Sequence, residues 1–392
     1  MIPRVRPWAN YTALLHAIRT GRAEDRARFE REFATSVGAD HAVATNMGRG
    51  ALQAALLAMD VTPHSEVIVP ALVCNAVVDA VLAVGATPVP ADIDVSDFNL
   101  SVDSAKAAMG EQTRAVIAVH AYGFPCKIAE LKEVCSERGI SLIEDCAQSV
   151  GARVENRPVG TFGDVGIFSF GFDKILSLAS GGLALSDDRE VDRRLRESLP
   201  RGHESNRKET AHLLKFMRFH AMFSPKIYGI SRHLRAQIED LDWPNDEVRV
   251  PLGPLRSAFG RYLLDRSLEI FDIYRRNANI LLELLAVPRV EVPEVRSGAE
   301  AVPLRLTIRV PAALRNPLSI YLVRHGFEVV PAAYDRPVHQ VSEFRGLLRL
   351  KVDLSGAEVA SQTLLNLPIH PYISEPGLEE MGNLLRSFVA AA

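Results

Sequence analysis

A lysine on an apparent loop, Lys174, lies 29 residues after Asp145, a carboxylate at the end of a short apolar strand. The stretch that holds both, LIEDCAQSVGARVENRPVGTFGDVGIFSFGFDKILSLASGGLALS over 142–186, opens as a strand ending on the acid pair Glu144 and Asp145. It passes through a Gly-rich polar region and a second strand, Val165 to Phe170, before Lys174; Gly181 and Gly182 then start a third strand. A loop lysine and a strand-end carboxylate are the pair that a pyridine aldehyde cofactor requires. The amine forms a Schiff base with the aldehyde, and the carboxylate keeps the ring nitrogen protonated. The spacing leaves room for two neighbouring strands and their connection. Each residue alone has a plainer role, Lys174 as a solvated surface charge and Asp145 as a helix N-cap.

The elements that must position this pair are legible upstream. Tyr11–Thr20 reads as a helix closed by Gly21, and Glu24–Val37 as a second, with Phe29, Phe33 and Val37 on one face and Gly38 at its end. HAVAT (41–45) is a strand. Asn46-Met47-Gly48-Arg49-Gly50 then turns into a helix predicted over Ala51–Met59. A Gly-rich turn at a helix N-terminus collects backbone N–H groups and suits a phosphate, although it also serves as a plain strand-to-helix connection. It lacks the GK[ST] of a nucleotide-binding P-loop. Strands at EVIVP, TPVPA, AVIAVHAYG (115–123) and ISLIED alternate with helices at Asn75–Val84, Ser104–Met109 and Ile128–Arg138. Continuously apolar strands alternating with helices predict a parallel sheet covered on both faces, with ligands at the carboxyl ends of its strands. Gly48–Gly50, Cys74, His120 and Asp145 fall at or just beyond such ends. After Asp187 the chain turns helical and charged. Leu213–Ile230 is rich in Leu, Met and aromatics and broken by Pro225. Leu255–Leu285 is a long helical region with a join near Asp265, Ala301–Val310 reads as a strand, and a final helix follows over Gly377–Val389.

Composition narrows the function classes. The chain has 392 residues, enough for two or three cores, and a formal charge of −3, so no basic footprint points to nucleic acid. The first residues, MIPRVRPWANY, lack the apolar core of a signal peptide. The apolar run Val67–Ala91 carries one charge, Asp79, but Pro70, Gly85, Pro88 and Pro90 break it, so it reads as strand, helix and strand rather than a membrane span. Cys74, Cys126, Cys135 and Cys146 show neither CxxC nor metal-type spacing, which predicts free thiols, no metal site and a reducing, cytoplasmic setting.

IEDCAQSVGA, GTFGDVGIFSF with Lys174 five residues after Ser169, and VIVP…GATPVPADID, in this order and spacing, resemble the DegT/DnrJ/EryC1/StrS sugar aminotransferases. The likeness is densest over 29–186 and returns at Leu255–Leu285 and LNLPIHPYIS. It implies the fold type I architecture of pyridoxal 5′-phosphate (PLP) enzymes: an α/β large domain with a mostly parallel seven-stranded sheet, plus a smaller α+β C-terminal domain. Expected bounds are 1–245, with a divergent helical segment over about 205–245, and 246–392. The resemblance further implies that Lys174 carries the cofactor and shuttles the proton, and that Asp145 pairs with the ring nitrogen. Gln148 would lie near the ring hydroxyl, and Ser169 would bind the phosphate with Gly48, Arg49 and Gly50.

Three positions depart from the family pattern. Arg49 stands where Thr or Ser is usual. Cys74 replaces the aromatic that stacks on the ring. Glu247-Val248-Arg249-Val250-Pro251 fills the place of an Asn-aromatic-Arg segment that reaches the partner subunit's phosphate, leaving Arg249 as the candidate for that reach. The implied reaction moves an amino group from glutamate or glutamine to a keto group of a nucleotide-linked deoxysugar, in a homodimer. A cyclitol or other non-sugar ketone acceptor and a catalytically idle PLP-fold partner protein are the alternatives. Sugar dehydratase relatives carry histidine in place of the lysine, so Lys174 argues against that chemistry.

Overall fold

The computed structural model describes residues 1–229, 248–331, 334 and 336–392. Its main sheet has seven strands: β1 (His41–Thr45), β2 (Glu66–Pro70), β3 (Thr87–Ala91), β4 (Thr113–Val119), β5 (Ser141–Asp145), β6 (Val165–Ser169) and β7 (Gly182–Ser186). They lie in the order β1-β7-β6-β5-β4-β2-β3. Pairing is parallel from β3 through β6, whereas β7 runs antiparallel to both β6 and β1. The central strands are buried along nearly their whole length because helices cover both faces, which is why they read as unbroken apolar runs.

This topology gathers the site. The parallel register sets Val119 beside Asp145 and Asp145 beside Ile167. The antiparallel pair sets Ser169 beside Gly182, and Gly182 beside Thr45. The carboxyl ends of β1, β4, β5 and β6 therefore share one edge of the sheet. The loop that returns β6 into β7 stays at that edge, and it carries Lys174.

Helix α1 (Tyr11–Thr20) and α2 (Glu24–Val37) form as expected, α2 ending at Gly38 with φ +73. The structure departs from expectation at several places. Helix α3 (Gly48–Ala58) begins at Gly48, so Gly48, Arg49 and Gly50 are its first turn rather than a turn before it. Strand β4 stops at Val119, because Ala121–Gly123 makes a tight corner in which Tyr122 and Gly123 have φ +58 and +93. The strand expected over Ala301–Val310 is only Leu306–Arg309, because Val302 and Leu304 donate their N–H groups to Gly123 and Tyr122 across that corner.

Leu306–Arg309 (β8) pairs with Leu364–Leu367 (β10), and β10 with Val330–Pro331 (β9), in a second, antiparallel sheet. One apolar cluster runs from α1 and α2 through Pro254–Leu264 and Ser267–Leu284, the two helices joined at Asp265 and Arg266, to this second sheet and the last helix, Glu375–Ala391. The stretch expected as helix over 213–230 runs instead over Asn206–Met222, started by Ser205, whose hydroxyl accepts the Lys208 N–H, and closed before Pro225. Ile230 and positions 231–247 lie outside the described residues. Among the described residues, no helix is long and apolar enough to cross a membrane.

Candidate active site

Lys174 is held at the sheet edge with its side chain 18% exposed. Its Nζ lies 3.6 Å from Asp173 Oδ1, and Asp173 Oδ2 accepts a 3.2 Å hydrogen bond from Arg305 Nη2. Burial acts to raise the Asp173 pKa, but the Lys174 and Arg305 cations outweigh it and hold the carboxyl at about 2. Two residues before the lysine, Phe172 packs against Phe216, Phe219 and Phe223 at ring separations of 5.4–5.8 Å. The aromatic face of Asn206–Met222 is thus a socket that anchors the lysine loop.

The acid pair divides its work by strand alternation, since successive residues of β5 point to opposite faces. Asp145 accepts the Ala147 N–H at 2.9 Å and lies within electrostatic reach of Lys174. Burial is the larger influence and raises its pKa. A cation placed opposite it, such as a protonated pyridine, would restore the carboxylate. Glu144, fully buried, accepts backbone N–H bonds from Gly160, Phe162 and Gly163 and faces His120 Nε2 at 3.0 Å. It fastens the Gly-rich region beneath β6. His120, Glu144 and Cys146 are close enough to ligate a metal. However, both Glu144 oxygens are engaged, and His120 Nδ1 accepts the Cys126 N–H at 3.1 Å. This cluster is a structural clamp.

The edge where the first turn of α3 meets Ser169 is built by close approach. A Cβ at Gly48 would sit 2.8 Å from Ser169 Cβ and 2.9 Å from its Oγ, so only glycine lets the first turn of α3 meet Ser169. A Cβ at Gly50 would sit 1.8 Å from Val248 O and 3.2 Å from Arg249 Cα. The Val248–Arg249 backbone therefore lies directly on this turn of its own chain. Arg49 points aside: its Nη1 is 3.9 Å from Asp79 Oδ2, and its buried Nε has no partner among the described residues.

A charged network missed in the sequence holds the turn from behind. Asn46 Nδ2 donates to Glu204 Oε1 (3.1 Å), and fully buried Arg256 donates to Glu204 Oε2 (2.7 Å) and Glu209 Oε1 (2.8 Å). The only sequence signal for it is an arginine in an apolar helix face.

Gln148, 7% exposed, donates to the Tyr334 hydroxyl and leaves its Oε1 without a partner. Cys74 is exposed at the start of helix Asn75–Ala83, within electrostatic reach of Lys174, Asp145 and Asp173. The structure thus brings Lys174, Asp145, Gln148, Ser169, Cys74 and the Gly48–Gly50 turn to one edge. It adds Asp173, Arg305, Tyr122 and Tyr334, which no motif had marked.

PLP fits these residues. The Gly48–Ser169 approach with the N-terminus of α3 offers a phosphate cradle, Asp145 offers a ring-nitrogen partner, and the unpartnered Gln148 Oε1 offers a ring-hydroxyl acceptor. Comparison with known proteins agrees. A profile of the DegT/DnrJ/EryC1/StrS aminotransferase family matches residues 9–386. The chain is 31% identical over 349 residues to dTDP-3-amino-3,4,6-trideoxy-alpha-D-glucose transaminase of Streptomyces venezuelae, which covers 89% of this chain and 83% of that protein. It is 41% identical over 170 residues to GDP-perosamine synthase of Vibrio cholerae, 43% of this chain and 46% of that protein. Across several such curated relatives, the chain spans about half their length. The crystal structure of the aminotransferase TlmJ from Streptoalloteichus hindustanus superposes with a TM-score of 0.81 at 25% identity, covering 100% of this chain and 99% of that one. With the family matched over nearly its whole length, this chain belongs to the DegT/DnrJ/EryC1/StrS aminotransferase family, with PLP as its cofactor.

Proposed function

We propose that the chain transfers an amino group from glutamate or glutamine to the ketone of a nucleotide-linked deoxysugar. The observation that carries this reading is the convergence of Lys174 and Asp145 at one sheet edge, with the Gly48–Ser169 cradle beside them. PLP, when bound, supplies the electron sink and the carrier for the amino group. The chain's own residues do the rest. Asp145 holds a proton at the pyridine nitrogen. Gln148 orients the ring through its hydroxyl. Ser169 and the first turn of α3 hold the phosphate. Lys174 Nζ is the base placed to move the proton at the donor's Cα.

We also infer a homodimer. Cys74 is exposed beside Lys174, a rim that a partner subunit would cover, and Arg249 at the phosphate turn is the candidate to reach across. Four free thiols, three of them buried, support a reducing cytoplasmic setting. Sedimentation showing an active monomer at assay concentration would refute the dimer.

The deciding experiment has two steps. The purified protein should show visible cofactor absorbance that borohydride removes, and Lys174→Ala should fold but lack that absorbance and all amino transfer. Keto-sugar nucleotides and cyclitol ketones are then offered with glutamate or glutamine and the products read by mass spectrometry. Amination of cyclitols alone would replace the sugar reading, and an active Lys174→Ala enzyme would end it.

A further inference from the structure

Two buried hydrogen-bond donors near Lys174 lack an acceptor among the described residues. Arg305, 9% exposed, uses Nη2 on Asp173, but its buried Nε has no partner among the described residues. The Tyr122 hydroxyl, in electrostatic contact with Arg305, is also buried and unpartnered. The Tyr334 hydroxyl accepts from Gln148. Burial pushes the pKa of both phenols up, so they remain donors. Leaving one buried donor unmatched costs about 1–3 kcal/mol. Two together, the Arg305 Nε and the Tyr122 hydroxyl, indicate a missing anion.

The backbone is shaped to bring Arg305 here. Tyr122 occupies the left-handed region at φ +58, a conformation that costs about 1–3 kcal/mol in a non-glycine residue. Gly123 follows at φ +93, where a Cβ would be 2.2 Å from Val302 O. This corner docks Val302–Leu304 through two backbone hydrogen bonds and delivers the next residue, Arg305, above the sheet edge.

Asp173 shows what kind of anion fits. Its carboxylate bridges Lys174 Nζ and Arg305, one oxygen toward each. An α-amino acid has the same layout, with its reacting nitrogen two bonds from its carboxylate carbon. Asp173 is also the most exposed member of the trio: its side chain is 42% exposed, against 18% for Lys174 and 11% for Arg305. A diphosphate on a sugar acceptor would lie several bonds beyond the reacting carbon, too far out to take this place.

We propose that Arg305 and the Tyr122 hydroxyl form the subsite for the α-carboxylate of the amino donor, and that Asp173 occupies this subsite in the donor-free enzyme and swings into solvent when the donor enters. This rests on the aminotransferase reading above.

The test uses the PLP-loaded enzyme without acceptor. Donor binding is read from the visible spectrum with α-methyl-L-glutamate, which has no Cα proton to lose, and conversion is read with L-glutamate. Arg305→Gln should raise the apparent Kd for α-methyl-L-glutamate about 10- to 100-fold, the range expected for losing a charged hydrogen bond. It should leave the affinity for 4-aminobutyrate, glutamate without its α-carboxylate, within about 2-fold, since that ligand never made the contact. Arg305→Lys, which keeps the charge but loses the fork, should fall between, and serves if the Gln variant does not fold. Tyr122→Phe should raise the Kd several-fold, and Asp173→Asn should lower it by removing the competitor.

An Arg305→Gln enzyme that binds α-methyl-L-glutamate normally would overturn the subsite while leaving the aminotransferase reading intact. So would equal losses for α-methyl-L-glutamate and 4-aminobutyrate, or a defect only in the half-reaction with keto-sugar. If the wild type converts with no amino acid, both readings fail together.

Discussion

Replacing Glu144 with Gln is the sharpest test of how the acid pair is divided. The substitution keeps shape and removes one acceptor. In the native site Glu144 Oε1 accepts from Phe162 and Gly163 N–H, while Oε2 accepts from Gly160 N–H and faces His120 Nε2. His120 Nδ1 already accepts from Cys126 N, so the ring proton sits on Nε2 and points at Glu144. All four groups around the carboxylate are therefore donors. A glutamine can face only two of them with its carbonyl, and its NH₂ group meets the other two whichever way it turns. Two hydrogen bonds to a charged acceptor are lost, at about 1.5–3 kcal/mol each, or roughly 3–6 kcal/mol in all. Typical total stabilities are about 5–15 kcal/mol, so this is a large fraction. Urea unfolding followed by far-UV circular dichroism should show the midpoint falling sharply at an unchanged m-value. At a temperature where the variant is still folded, PLP absorbance and turnover should stay near normal, because Glu144 faces away from the site. A Glu144→Gln protein with native stability would refute the clamp. One with native stability and no activity would place Glu144 in the chemistry.

The other predictions follow from the same geometry. Asp145→Asn should keep the fold and bind PLP but lose about 100-fold or more in turnover, because a neutral amide cannot hold the ring proton; wild-type rates would reduce Asp145 to a strand-end cap. Arg256→Met leaves Glu204 and Glu209 buried without their cation, and should cost about 3–5 kcal/mol and weaken PLP retention through Asn46; unchanged cofactor affinity in the folded variant would detach this network from the phosphate turn. Burial lowers the pKa of His220 to about 4 and of His370 to about 3, from 6.5 in the unfolded chain. The unfolded state therefore binds more protons as pH falls below about 6.5, and stability full above that pH should drop by about 2 kcal/mol per histidine by pH 5. Equal urea midpoints at pH 7.5 and pH 5 would contradict it.

Much of this architecture was legible because it is local. Alternating strands and helices, Gly38 closing α2, and the spacing of Asp145, Gln148, Ser169 and Lys174 all express short-range rules that one stretch of chain can carry. What stayed hidden depends on contacts between distant segments. Arg305 lies 131 positions from Lys174 in the sequence, and only the Tyr122–Gly123 corner, which reads as plain strand in AVIAVHAYG, brings the two together. Tyr334 reaches Gln148 in the same way, from a loop beside β9. The start of α3 at Gly48 was hidden for another reason: glycines read as turn residues, and here they are selected for closeness to Ser169 and Val248 rather than for flexibility.

The aromatic stretch around Phe216, Phe219 and Phe223 takes its role from what it packs against. At i, i+3 and i+7 these rings share one helical face. The structure sets Phe216 and Phe219 in the interior and turns the face onto Phe172. That contact gives the stretch a role in the site without touching substrate. In the proposed reaction Lys174 leaves its cofactor and returns, which needs a mobile side chain on an immobile backbone. The β6–β7 hairpin supplies one fixed point for that backbone at Ser169–Gly182, and the phenylalanine socket supplies another two residues before Lys174. The short, bond-rotatable part is then confined to Lys174 and its neighbour Asp173, the residues whose movement the proposed chemistry would use.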